Sequence, residues 1–125
     1  ISKVTHIVQK GKNPDVDSYS GFQDNSHFVK TGLEEYLKSK QIDMVEIVGL
    51  ALDYCVKFTC LDANEAGFIT CLHYNGTKAV NVKPENGKDT IFLFLEKGVT
   101  VLDKYFHQNI KSLSFICEER LFFDS

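Results

Sequence analysis

The strongest constraint on the fold of this chain is a repeated alternation of short apolar runs with stretches of helical spacing, each switch marked by glycine, asparagine or proline. Val4, His6 and Val8 alternate with Lys3, Thr5, Ile7 and Gln9, a strand pattern that stops at Lys10-Gly11. A loop rich in Gly, Asn, Asp, Ser and Pro follows to Ser26, yet it carries Tyr19 and Phe22, two rings that a solvated linker has no use for. Thr31 stands three residues before Glu34, a capping-box spacing, and Leu33 with Leu37 gives one apolar face. Together they predict a helix of about ten residues ending near Lys40. Met44 to Gly49 (MVEIVG) reads as a strand covered on both faces. The next helix places Val56, Cys60 and Ala63 on one side and stops at Gly67, and Phe68 to His73 (FITCLH) is a further strand. After a loop at Asn75-Gly76, Pro84 opens a helical stretch through Ile91, Phe92 and Leu95 to Gly98, and Val99 to Leu102 is a last strand.

The order βαβαβαβ is that of an α/β protein, a parallel, Rossmann-like sheet with right-handed crossovers and helices on both faces, giving three layers, α/β/α. With 125 residues, 43% apolar and 25% charged, the composition suits one globular domain. No apolar run approaches the roughly 18 residues of a membrane span. The net charge of −3, with lysines and acids interspersed, leaves no basic stripe for nucleic acid. Residues 105–125 break the rhythm. They hold Phe106, Phe115, Phe122 and Phe123, too aromatic for a disordered tail, so they are expected to pack, with a subunit contact as one candidate. The first strand pattern is already under way at Ile1, with no methionine, cap or turn ahead of it.

Four cysteines, Cys55, Cys60, Cys71 and Cys117, form no CxxC pair. Cys55 and Cys60 are five apart in a helical pattern, which sets them about 140° apart around the helix and unsuited to sharing an ion. With no signal peptide in view the expected location is the reducing cytoplasm, where such thiols stay free and by default serve as small buried apolar groups. Cys55 is the exception by position. In an open α/β sheet ligands bind beyond the carboxyl ends of the strands, and Cys55 falls in the first turn after Gly49-Leu50-Ala51-Leu52-Asp53-Tyr54. Unpaired amides and the helix dipole there favour a thiolate, and the same amides can hold the oxyanion of a tetrahedral intermediate. Lys10, at another strand end, is placed to stabilise that thiolate; a lysine there otherwise points to water.

Lys10-Gly11 followed by PDVDSYSGF (Pro14 to Phe22), the TGLEEYLKSK helix and IVGLALDYCVKFTCLDA (Ile47 to Ala63) resembles the nicotinamidase branch of the isochorismatase-like cysteine hydrolase family, over roughly residues 4 to 102. The resemblance implies that fold, and catalytic roles for Cys55 as nucleophile and Lys10 as its partner. It implies a cis, non-proline peptide at Leu50-Ala51 and an oxyanion hole formed by the backbone amides of Ala51 and Cys55. Tyr19, Tyr54 and Ala51 fall on positions lining the substrate pocket, whereas ordinary half-buried packing is the plain alternative for the two tyrosines. The implied reaction is hydrolysis of nicotinamide to nicotinic acid and ammonia through a cysteine thioester, within NAD salvage. A divalent metal, zinc above all, and an acid-base aspartate complete the family's site. Their positions fall ahead of Lys10, in the part of the pattern that would precede Ile1. Asp15 and Asp17 belong to the loop motif and His6 lies inside a strand, so none inherits those roles, and His27, His73 and His107 are too scattered to form a ligand set.

Two alternatives stand beside this reading: another isochorismatase-like cysteine hydrolase, acting on a different small amide or an enol ether, and a non-catalytic truncated paralogue. The family's strand order, 3-2-1-4-5-6, separates the strand ending at Lys10 from the one ending at Gly49 by two strands. Residues 1–104 are thus expected to be the carboxy-terminal part of one domain whose central strands are missing, with 105–125 an extension of unknown role. The two-strand gap is expected to be filled by another chain, a missing N-terminal segment or a rearranged packing, and a homo-oligomer is one way to do so.

Overall fold

The computed structural model describes the backbone of residues 4–102, 112–117 and 120–124, and the side chains within residues 6–102. The elements run β1 (Val4–Gln9), α1 (Leu33–Ser39), β2 (Met44–Leu50), a π-helical turn (Leu52–Val56), α2 (Lys57–Glu65), β3 (Ile69–Lys78), α3 (Asn86–Lys97), β4 (Thr100–Leu102), β5 (Ser112–Cys117) and β6 (Arg120–Asp124). They form one six-stranded sheet in the order β1-β6-β5-β2-β3-β4. β2 lies parallel to both β5 and β3, and β3 is parallel to β4. Central strands flanked on both sides bury their apolar residues, and Val45, Ile47 and Leu72 are fully enclosed. The core is completed by Leu33 and Leu37 from α1, Val56 from the π-helical turn, Cys60 and Ala63 from α2, and Phe94 from α3. The apolar stripe expected at Val56, Cys60 and Ala63 is therefore the packed one, and α2 ends where expected, with Gly67 at φ 96° in the left-handed region that a side chain resists.

The two-strand space between β1 and β2 is present, and residues of this same chain occupy it. β5 pairs in parallel with β2, Val45 opposite Leu113 and Gly49 opposite Cys117, and β6 joins it to β1. The sheet is consequently mixed, not wholly parallel: β6 runs antiparallel to both neighbours. Only two residues separate β5 from β6, far fewer than a parallel crossover requires. Phe106 and His107 lie outside the described residues.

Three local expectations are corrected. The capping box at Thr31 does not form. Gly32 is the cap residue of α1, and the Thr31 hydroxyl donates to the Gly21 carbonyl at 2.6 Å while accepting the Leu33 N–H at 3.2 Å. Its tertiary partner outbids Glu34, which instead pairs with Lys38 one turn on. The strand expected to end at His73 continues through Asn75-Gly76 to Lys78, with a register break. Ile47 is opposite Leu72 but Gly49 is opposite Thr77, so the intervening residues bulge. Pro84 stands two residues ahead of α3, because Asn86 Oδ1 accepts the Lys83 N–H at 2.8 Å and closes a turn before the helix starts.

Two of the buried thiols behave as the apolar residues expected of them. Burial pushes the Cys60 thiol well above its usual range, with Cys71 adding to the effect. Cys71 is raised by burial and by the Glu46 carboxylate, and partly offset by a hydrogen bond with Thr100. Glu46 itself is closed off against His73 Nε2 at 2.8 Å. A thiol raised in the folded state stabilises the fold below the unfolded value of about 8.5 and loses that contribution as pH rises beyond it, because the unfolded chain alone sheds the proton. Chemical unfolding followed against pH is expected to show stability falling above about pH 9, and Cys60→Ala to flatten that fall. Leu37→Ala, emptying a site with no exposure, is expected to cost about 2–5 kcal/mol, read as a lower urea midpoint at unchanged slope.

Candidate functional site

β1 ends one residue before Lys10, and the side chain of Lys10 turns inward, only 6% exposed. Its Nζ donates to the Tyr19 carbonyl at 2.7 Å and to Cys55 Sγ at 3.0 Å. A buried ammonium needs an anion or several acceptors to offset its lost hydration. Its two acceptors among the described residues are a backbone carbonyl and the cysteine sulfur, and a thiolate there would be favoured by the adjacent ammonium. The two residues that position alone singled out, 45 apart in the chain, are thus in direct contact.

Cys55 reaches that place through an unusual exit from β2. Gly49 has φ 124°, open in practice only to glycine, and the following Leu50-Ala51 peptide is cis. Ala51 is extended, and its carbonyl accepts the N–H of Tyr54 at 3.1 Å and of Val56 at 3.0 Å. The second of these spans five residues, so Cys55 sits in a π turn that precedes α2, not in the first turn of an α-helix as its spacing indicated. The wider turn leaves Cys55 half-buried and facing Lys10, while Cys60 on α2 is sealed in the core. Asp53 in the same turn is buried, and its carboxylate accepts the backbone N–H groups of Val80 at 3.0 Å and Asn81 at 2.8 Å. It therefore ties the segment after β3 to the turn that carries the thiol.

Aromatic rings cluster on the segments that carry the pair. Tyr19 and Tyr54 meet with ring centroids 5.4 Å apart at an interplanar angle of 60°, and Tyr19 lies nearly parallel to Phe58 at 5.8 Å. Such a group of rings suits a flat, apolar or heteroaromatic guest. Phe58 escaped the sequence reading, although a signal exists: it stands three residues after Cys55 and off the buried Val56, Cys60, Ala63 stripe, where a large ring has no core to fill. Asp53 and Thr59 were also missed, because their roles consist of hydrogen bonds to residues distant in the chain.

Two of the histidines have partners of their own. His6 stacks on Tyr36 at 3.8 Å between centroids, and His73 binds Glu46. Among the described residues no group of three or more His, Cys, Asp or Glu side chains is arranged to hold a metal ion, so these residues do not fit the zinc that the resemblance implies. No helix among them is long and apolar enough to cross a membrane.

Comparison with known proteins identifies the family of the chain. Residues 19–104 match the Isochorismatase domain family. The Escherichia coli nicotinamidase is 39% identical over 98 residues, covering 78% of this chain and 46% of that protein. The crystal structure of the yeast nicotinamidase bound to the inhibitor nicotinaldehyde superposes with a TM-score of 0.73 at 35% identity, over 78% of this chain and 45% of the other. The pyrazinamidase of Pyrococcus horikoshii in complex with zinc gives 0.66 at 30% identity, over 78% and 50%. The chain thus spans about half the length of the relatives it matches. Its sheet and crossover helices are those of their three-layer α/β/α fold, and the chain belongs to the isochorismatase domain family.

Proposed function

We propose that the protein of which this chain is part hydrolyses nicotinamide to nicotinic acid and ammonia, in NAD salvage in the cytoplasm. The observation that carries this reading is the 3.0 Å contact of Lys10 Nζ with Cys55 Sγ, on segments that also bring together the rings of Tyr19, Tyr54 and Phe58. It is supported by relatives named as nicotinamidases, one of them holding nicotinaldehyde, a molecule of the same pyridine skeleton.

In the proposed reaction the Cys55 thiolate, favoured by the adjacent ammonium, attacks the carboxamide carbon. A carbon–sulfur bond forms and the carbonyl electron pair moves onto oxygen, where the backbone amides of Ala51 and Cys55 are proposed to receive it. Collapse breaks the carbon–nitrogen bond, and the nitrogen takes up a proton as ammonia leaves, giving the thioester. Water then adds, nicotinate departs and the thiolate returns. Tyr19, Tyr54 and Ala51 are assigned to the pyridine ring as pocket walls. The proton donor and acceptor is assigned to the family's aspartate, in the part of the family pattern beyond this chain's match. A divalent metal, as in the zinc-bound pyrazinamidase, is assigned to that same part, and no step above depends on it. Residues 105–125 lie outside the family match and are proposed to be an extension that completes the sheet through β5 and β6.

The test is ammonia release from nicotinamide by the protein that carries this sequence. Cys55→Ala is expected to lower the rate by at least about 10³-fold, and Lys10→Met by about 10²-fold with the fold intact by circular dichroism. Ammonia release that survives Cys55→Ala overturns the thioester route. A reactive Cys55 with no ammonia from nicotinamide shifts the reading to another small amide or enol ether.

A further inference from the structure

Thr59 lies on α2, four residues beyond the cysteine, and has no exposure to solvent. Its hydroxyl is used in both directions. It donates to the Cys55 carbonyl at 2.7 Å, and its oxygen accepts the N–H of Gly21 at 2.9 Å. The first bond is common for a helical threonine, which readily returns its proton to the carbonyl one turn back. The second is not a property of helices, since Gly21 belongs to a loop 38 residues earlier in the chain. Thr90 on α3 provides the contrast. It is equally buried and donates to the Asn86 carbonyl at 2.8 Å, without a loop amide on its oxygen among the described residues.

Gly21 is two residues from Tyr19, whose carbonyl holds the Lys10 ammonium. The contacts therefore close on themselves. Cys55 Sγ meets Lys10 Nζ, Lys10 meets the Tyr19 carbonyl, the chain runs from Tyr19 to Gly21, Gly21 meets Thr59, and Thr59 returns to the Cys55 backbone. Gly21 is held at its carbonyl as well, by the Thr31 hydroxyl at 2.6 Å. Phe22 is in the core, and its N–H goes to Ser20 Oγ at 3.0 Å. The segment between Tyr19 and Thr59 thus has little slack. A four-carbon lysine side chain has considerable rotamer freedom, and a carbonyl held at a set distance from the sulfur is what restricts where its ammonium rests.

We propose that Thr59 is a positioning residue for the Cys55–Lys10 pair. It fixes the loop that carries the Tyr19 carbonyl against the backbone of the nucleophile, and so keeps Lys10 Nζ on the sulfur. Its role is exerted through the loop and Lys10. The proposal rests on the reading of Cys55 as the nucleophile, and extends to Tyr19, whose ring is held by the same loop segment.

The experiment is the pH profile of Cys55 alkylation by iodoacetamide, read by peptide mass so that Cys60, Cys71 and Cys117 are scored separately. Thr59→Val, which keeps the shape and removes the hydroxyl, is expected to move the profile to higher pH and to make Cys55 about tenfold less reactive near neutrality. Thr59→Ser, which restores both hydrogen bonds, is expected to return to within about twofold of the unsubstituted chain. Thr90→Val is expected to leave the profile unchanged, since it deletes a helix back-bond of the same kind away from the site. An unshifted profile in Thr59→Val, or an equal shift in Thr90→Val, overturns the proposal. Should Thr59→Val fail to fold, amide exchange of Gly21 in the unsubstituted chain decides: protection like that of the β2–β3 ladder supports it, and exchange at the rate of an open loop overturns it. Alkylation needs no substrate. A Thr59-dependent profile in a protein that releases no ammonia from nicotinamide therefore overturns the substrate reading while leaving the positioning role in place.

Discussion

A buried ammonium with a cysteine sulfur as its partner is the interaction around which the rest of this structure is arranged. Lys10 follows β1 and Cys55 follows β2, and two further strands lie between β1 and β2 in the sheet. At a spacing of about 4.8 Å per strand, three intervals place the two strand axes about 14 Å apart, beyond the span of a lysine side chain. The contact exists because both ends lean inward over the sheet. The π turn brings Cys55 back above the strand ends, and the loop after β1 carries Tyr19 to meet Lys10 from the other side. Both Lys10 and Cys55 follow the carboxyl ends of their strands, the usual place for a ligand in a sheet of this kind.

The cost of that arrangement is distributed over polar groups that have no catalytic duty. Asp53 spends its carboxylate on two backbone amides after β3, Thr31 gives up a helix cap to hold the Gly21 carbonyl, and Thr59 links the same loop to α2. Each is buried or half-buried, where a hydrogen bond left unmade costs about 1–3 kcal/mol, so each fixes its segment in one place. Elsewhere the core is built from aliphatic side chains, Phe22, Phe68 and Phe94, and the Cys60 thiol, and its role is to supply rigid strand ends from which these few polar links operate.

The central sheet positions are occupied by strands that lie beyond the family match. The family match ends at residue 104, yet β5 and β6 come from beyond it and stand between β1 and β2. An open gap there would leave the ladder groups of β1 and β2 without partners, a strong drive toward pairing with whatever strand is within reach. The short β5–β6 connection makes a hairpin the available solution, and one antiparallel strand in an otherwise parallel arrangement is its mark.

Much of this was legible in the residues. Apolar spacing identified the first four strands and three helices, because which side of an element is buried is written in its periodicity. Lys10 and Cys55 were found because strand ends in an α/β sheet are where chemistry collects, and because their surrounding segments match a known pattern. What the sequence could not decide was every choice between competing partners. Whether Thr31 caps its helix or binds a distant carbonyl, whether Asn75-Gly76 turns the chain or bulges within β3, and which face Phe58 joins are set by neighbours brought close only on folding. The sequence by itself determined the elements, the core stripe and the two reactive groups, since these follow from local periodicity and position. Only the tertiary structure decided how the groups meet, because a hydroxyl, an amide or an open strand edge takes the partner that long-range packing presents to it.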